Sequence, residues 1–204
     1  MENYSNPRKF AFKIIELLKT TDIKQIKLVG SLSENNFDEY SDIDIELNDN
    51  KQSPVENINI ALNSISKKYD ILFSDWAKSL LPDKYVLSVF LKQKNIFRFI
   101  DLTCFKDANF SDTTRDQLPQ DKIYHIFKLW ICNAKQEIRN RHDRNFIDLL
   151  FVKLFINNDS ISNKTKFEKV LDWLHTNSDN NYLLKECDRI MDKINDNIPI
   201  TLAK

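Results

Sequence analysis

Residues 28 to 47 read LVGSLSENNFDEYSDIDIEL, and this stretch decides the fold. A short β-branched run from Ile26 to Val29 ends at Gly30 and Ser31, a polar loop follows, and a strict alternation opens at Asp42. Successive side chains of a strand point to opposite faces, so Asp42, Asp44 and Glu46 share one face and Ile43, Ile45 and Leu47 the other. The pattern predicts a half-buried strand from Asp42 to Leu47. Two carboxylates side by side repel each other unless a hard cation such as Mg²⁺ lies between them. Asp42-Ile43-Asp44 is the only Asp-x-Asp in the chain.

Gly30 is the only glycine among 204 residues, where ordinary usage of roughly 7% would supply about a dozen. A chain that otherwise does without glycine has kept it where positive φ or close backbone approach is needed. Placed at a strand end before a Ser, it can offer unobstructed N–H groups and a hydroxyl to phosphate oxygens. A third acid stands in FRFIDLTCF, where Asp101 interrupts an otherwise apolar run. A carboxylate in such surroundings needs a cation or strong hydrogen bonds. Asp70 also precedes an apolar strand, but Asp101 is preferred because apolar residues flank it on both sides.

Around this centre the first half reads as α plus β. Phe10, Ile14, Leu17 and Leu18 recur at helical spacing after Pro7 and predict a helix over 7–19. Ser53, Pro54 and Glu56 supply an N-cap, a proline at the first helical position and a capping-box partner for a helix over 54–67. Strands are expected over 70–73, 85–91 and 96–105. From about Asp107 the segment DANFSDTTRDQLPQD is polar, and everything beyond it reads as helix, over 121–138, 145–157, 164–175 and 181–195. The helix around Leu149 to Ile156 is apolar nearly all round, which predicts a central element buried by the other three. The fold class expected is therefore α+β, a small mixed sheet with helices (1–106) followed by a C-terminal helical bundle (107–204).

Composition narrows the function. A hydrophobic fraction of 42% with 14 Phe and 3 Trp supports real cores, and 30 basic against 30 acidic residues leave a formal net charge of +0. That balance gives no global pull toward a polyanion, so a long nucleic-acid substrate is disfavoured. Cys104, Cys132 and Cys187 are odd in number and lie in apolar stretches, as reduced core thiols do. With no signal-like leader and no long uninterrupted apolar run, a soluble cytoplasmic protein is expected and no membrane partner. Walker, Gly-x-Ser-x-Gly and His-Glu-x-x-His motifs are absent, which removes the commonest ATPase and hydrolase readings. The basic cluster Arg139, Arg141, His142 and Arg144 follows a helix end, and two readings stand for it: a solvated cap, or a contact to an anionic substrate.

Gly-Ser, a polar loop, Ser-Asp-Ile-Asp and a later strand acid together resemble the DNA-polymerase-β-like nucleotidyltransferase superfamily. Bacterial lincosamide and aminoglycoside nucleotidyltransferases are the similar subgroup, since they pair a minimal catalytic domain with C-terminal helices and carry Tyr-Ser-Asp-Ile before the second acid. The loop Leu32-Ser33-Glu34-Asn35-Asn36 departs from the family, which often has Arg or Thr and a further glycine there. The resemblance implies that Gly30 and Ser31 bind the triphosphate. It implies that Asp42 and Asp44 bridge two Mg²⁺ ions and that Asp101 completes the catalytic triad of acids. The implied reaction is transfer of a nucleoside monophosphate, AMP from ATP, to a hydroxyl of a small molecule such as an aminoglycoside or lincosamide antibiotic. A second implication is an antitoxin-like regulatory member that modifies or binds a partner protein.

Overall fold

The computed structural model describes residues 6–49, 51–92, 95–141, 146–155 and 161–196. The chain divides into two compact units, Met1–Gln120 and Asp121–Lys204. It is an α+β protein, a five-stranded mixed sheet with helices followed by C-terminal helices.

The first unit runs α1 (Pro7–Leu18), β1 (Gln25–Val29), a single helical turn α2 (Gly30–Ser33), β2 (Ile43–Asn48), α3 (Pro54–Ser66), β3 (Ile71–Trp76), β4 (Lys84–Leu91) and β5 (Ile100–Phe105). The ends of α3 are set locally. Ser53 Oγ accepts the Glu56 N–H while the Glu56 carboxylate accepts the Ser53 N–H, so the capping box forms as the sequence predicts. The Ser53 N–H, and after it the Ser53 hydroxyl, donate to the Glu56 carboxylate and pull it below its ordinary pKa. Strand order is β1-β2-β5-β4-β3, with β2 and β5 parallel and the other pairs antiparallel. One face of this sheet is apolar. Ile43, Ile45, Leu47, Ile100, Leu102, Leu87 and Val89 pack there with Phe10, Ile14 and Leu18 of α1 and Ile58, Ala61 and Ile65 of α3. A core of this kind requires every residue of the alternate set to face the other way.

Two expected bounds shift. β5 opens at Ile100, not 96, because Asn95 turns the chain: its Oδ1 accepts the Phe97 N–H and its C=O accepts the Arg98 N–H. β3 extends to Trp76 and so carries Asp75.

The second unit contains α4 (Lys122–Ile138), α5 (Ile147–Phe155), α6 (Asn163–Asn177) and α7 (Asn181–Asp196). Its core holds Trp130, Phe127, Phe167, Val170, Leu174, Leu183 and Cys187. Trp130 meets the edge of Phe167 at 5.8 Å and donates its indole N–H to the Phe167 C=O at 3.1 Å. The expectation of a buried central helix around Leu149 is overturned. α4 and α6 each pack against the other three, whereas on α5 only Ile147, Leu150 and Phe151 are buried and Leu149 is 67% exposed. A short helix apolar on all sides can present one of them to solvent, and composition alone does not say which helix is central. Among the described residues no helix is long and apolar enough to cross a membrane.

Candidate metal centre

The parallel register of β2 and β5 places Asp44 directly beside Asp101. Directly paired residues point to the same face. The rung continues on both sides, to Val29 on β1 and to Ser88 and then Asp75 on the antiparallel β4 and β3. The polar face thus carries Asp44, Asp101, Ser88 and Asp75 in one row across four strands. Asp42 precedes β2 by one residue and lies two positions from Asp44, on the same side of the chain.

Carboxylate oxygens of Asp42, Asp44 and Asp101 all lie within 4.8 Å of one another, and each residue is partly exposed. Three hard oxygen donors at that spacing, open to solvent on one side, suit Mg²⁺ or Mn²⁺, which favour carboxylates and retain water. Glu46, the third acid of the alternation, lies two rungs along on the same face, paired with Lys27 and Thr103. Asp70 stands outside the cluster: it is exposed, and its C=O accepts the Lys92 N–H.

Gly30 adopts φ +66° at the end of β1. A Cβ there would come within 2.4 Å of Asp44 Oδ2. Both reasons for a retained glycine, positive φ and close approach, therefore hold at this residue. Ser31 follows on α2, whose turn is tied by Ser33 Oγ to the Gly30 C=O at 2.8 Å and by the Asn36 N–H to the Ser31 C=O at 3.0 Å.

The approach to Asp42 is braced by its own loop. Asp38 Oδ1 accepts the Tyr40 N–H at 3.0 Å and the Ser41 hydroxyl at 3.1 Å, and Ser41 Oγ in turn accepts the Asp38 N–H. The 95–98 turn clasps that loop: Asn95 Nδ2 donates to the Glu39 C=O at 2.7 Å, and Phe97 meets Tyr40 edge-on at 5.3 Å. Nearby Arg98 is 8% exposed; burial lowers its pKa and the Glu39 charge opposes that. The Ile43 N–H to the Phe99 C=O then starts the ladder that pairs the two acids.

Sequence reasoning missed Ser88 and Asp75. Ser88, 1% exposed, donates its hydroxyl to Asp101 Oδ1. Asp75, 2% exposed, accepts from Gln120 Nε2 at 3.1 Å, and the same amide donates to the Trp76 C=O at 3.0 Å. The available signal was a polar residue at an alternate position in each of two apolar strands. Of the basic cluster, Arg139 forms the C-cap of α4, Arg141 is exposed, and His142 and Arg144 lie outside the described residues.

No family model matches this chain, and no curated protein matches it. Among solved structures, the complex of GLD-2 with RNP-8 aligns at 14% identity, covering 97% of this chain and 69% of that one, with a TM-score of 0.35. The non-canonical poly(A) polymerase complex of GLD-2 with GLD-3 aligns at 14% identity over 87% of this chain and 52% of that chain, TM-score 0.35. The polymerase core of TRAMP, an RNA surveillance complex, aligns at 10% identity over 92% and 54%, again at 0.35. This chain spans about half the length of the latter two. Superpositions this loose carry no argument about activity, which rests on the site itself.

Proposed function

We propose that this chain is a metal-dependent nucleotidyltransferase of the DNA-polymerase-β-like kind, transferring a nucleoside monophosphate from a nucleoside triphosphate to an acceptor hydroxyl. The observation that carries the reading is the register that sets Asp44 beside Asp101, with Asp42 within reach of both and Gly30 against Asp44. A solvated acidic strand face needs none of this convergence.

In this reading Asp42, Asp44 and Asp101 hold divalent ions, which when bound lower the acceptor hydroxyl's pKa and neutralise the departing pyrophosphate. Gly30, without a side chain, leaves room for the Asp44 carboxylate to stay in the cluster, and the Ser31 hydroxyl and nearby backbone amides orient the phosphate oxygens. Asp101 receives the proton of the acceptor hydroxyl as its oxygen bonds to the α-phosphorus and the bond to the β-phosphate oxygen breaks. Asp42 and Asp44 keep the α-phosphate in line for that displacement. The acceptor we assign is a small molecule bearing hydroxyl groups, supported by the net charge of +0, which supplies no general attraction for a long polyanion.

The test is calorimetry with a non-hydrolysable ATP analogue and Mg²⁺, comparing wild type with an Asp42→Asn, Asp44→Asn double variant. Metal-dependent binding lost in the variant is expected. Wild-type protein that binds neither nucleotide nor metal would overturn the proposal. Labelled ATP with panels of small hydroxylated acceptors, RNA oligonucleotides and proteins then identifies the acceptor, and label found only on RNA or protein would sink the small-molecule assignment.

A further inference from the structure

We propose that Ser88 is a positioning residue for the metal centre: it fixes Asp101 so that its carboxylate meets those of Asp42 and Asp44. The inference deepens the nucleotidyltransferase reading and rests on it. Ser88 is the register partner of Asp101 across the β4–β5 pair, on the side away from Asp44. Asp101 therefore stands between two neighbours in one rung, an acid that repels it and a hydroxyl that binds it. Ser88 has one hydroxyl proton and gives it to Asp101 Oδ1. A carboxylate held on one oxygen by a buried donor has its plane and rotamer set before any ligand arrives. The strand backbone alone fixes only the direction in which Asp101 leaves the sheet.

The surroundings leave Ser88 no other task as evident. It is 1% exposed and lies on the polar face between Val86 and Phe90, both buried and apolar. A hydroxyl in that setting costs free energy unless it is hydrogen-bonded, and a methyl group would fill the space as well. The next member of the rung, Asp75, is engaged by Gln120.

The experiment titrates Mn²⁺ into wild type, Ser88→Ala, Ser88→Thr and Val86→Ala, following free Mn²⁺ by its electron paramagnetic resonance signal and folding by thermal melts. Removing an outer-shell partner typically weakens metal binding about 10–100-fold, and that loss is expected for Ser88→Ala. Ser88→Thr keeps the hydroxyl and should bind more tightly than Ser88→Ala. Val86→Ala removes packing on the same strand face without touching a hydrogen bond, so it should melt earlier yet bind Mn²⁺ like wild type. Should Ser88→Ala not fold, Ser88→Cys, a much weaker donor of similar size, makes the same comparison. Ser88→Ala with wild-type affinity, Ser88→Thr as weak as Ser88→Ala, or Val86→Ala weakened equally would each overturn the assignment. Wild-type protein that fails to bind Mn²⁺ at all would instead overturn the metal-centre reading beneath it.

Discussion

Replacing the lone glycine separates two demands that the fold makes at one residue. Gly30 has φ +66°, and Asn35 and Asn140 share a positive φ, at 60° and 54°. Each asparagine follows a helix end closed by the next residue's N–H: Asn36 N–H to the Ser31 C=O, and Arg141 N–H to the Gln136 C=O, both 3.0 Å. This chain thus fills left-handed positions after helices with asparagine, which tolerates them. What asparagine cannot supply at position 30 is space, since a Cβ would stand 2.4 Å from Asp44 Oδ2 and 3.2 Å from its Cγ. In Gly30→Ala the left-handed backbone alone costs about 1–2 kcal/mol. The contact is relieved only by turning the short Asp44 side chain, which takes its carboxylate out of the cluster. Urea denaturation should therefore show Gly30→Ala destabilised by at least that amount in wild type, and by the backbone share alone in an Asp44→Ala background. Mn²⁺ titration should show weakened binding in Gly30→Ala, and Gly30→Asn should fare no better despite its tolerance of the backbone. Equal costs in the two backgrounds, or Gly30→Asn binding Mn²⁺ like wild type, would refute the close-approach argument.

In the helical unit, Leu174→Ala should cost about 2–5 kcal/mol in thermal or urea denaturation, since Leu174 is 0% exposed. Leu149→Ala, at a residue 67% exposed, should stay within about 0.5 kcal/mol, and a large loss there would restore α5 to the centre of the bundle. Burial pushes the Cys104 thiol from 9.0 up to about 11, with the Asp107 charge adding to the rise and the Asn57 amide opposing it. A folded-state value above the unfolded one means the stabilisation is whole below about pH 9 and is lost as pH climbs toward 11. Wild-type stability should accordingly fall more steeply than that of Cys104→Ala between those pH values, and parallel curves would contradict it.

Much of the site was legible because its signals are short-range. Period-two alternation puts Asp42 and Asp44 on one side whatever the tertiary structure, and a single glycine before a polar loop marks a backbone requirement. The capping box at Ser53 and Glu56 is equally local. Ser88 and Asp75 were not legible, because their relevance comes from the register between strands far apart in sequence. The start of β5 was hidden by apolar residues that continue through the turn at Asn95. The position of α5 was misread for a related reason: hydrophobicity on every side states that a helix can be buried but leaves its exposed face unmarked.

The β2–β5 ladder has a consequence for folding as well as for chemistry. If β5 slid by one residue against β2, Asp101 would turn from the polar face into the hydrocarbon packed by α1 and α3, while Ile100 or Leu102 would turn out beside Asp44. Burying a lone carboxylate in such a core costs several kcal/mol. The mispaired sheet is therefore penalised on both faces at once, and the acid that completes the centre also tells the strand how to align.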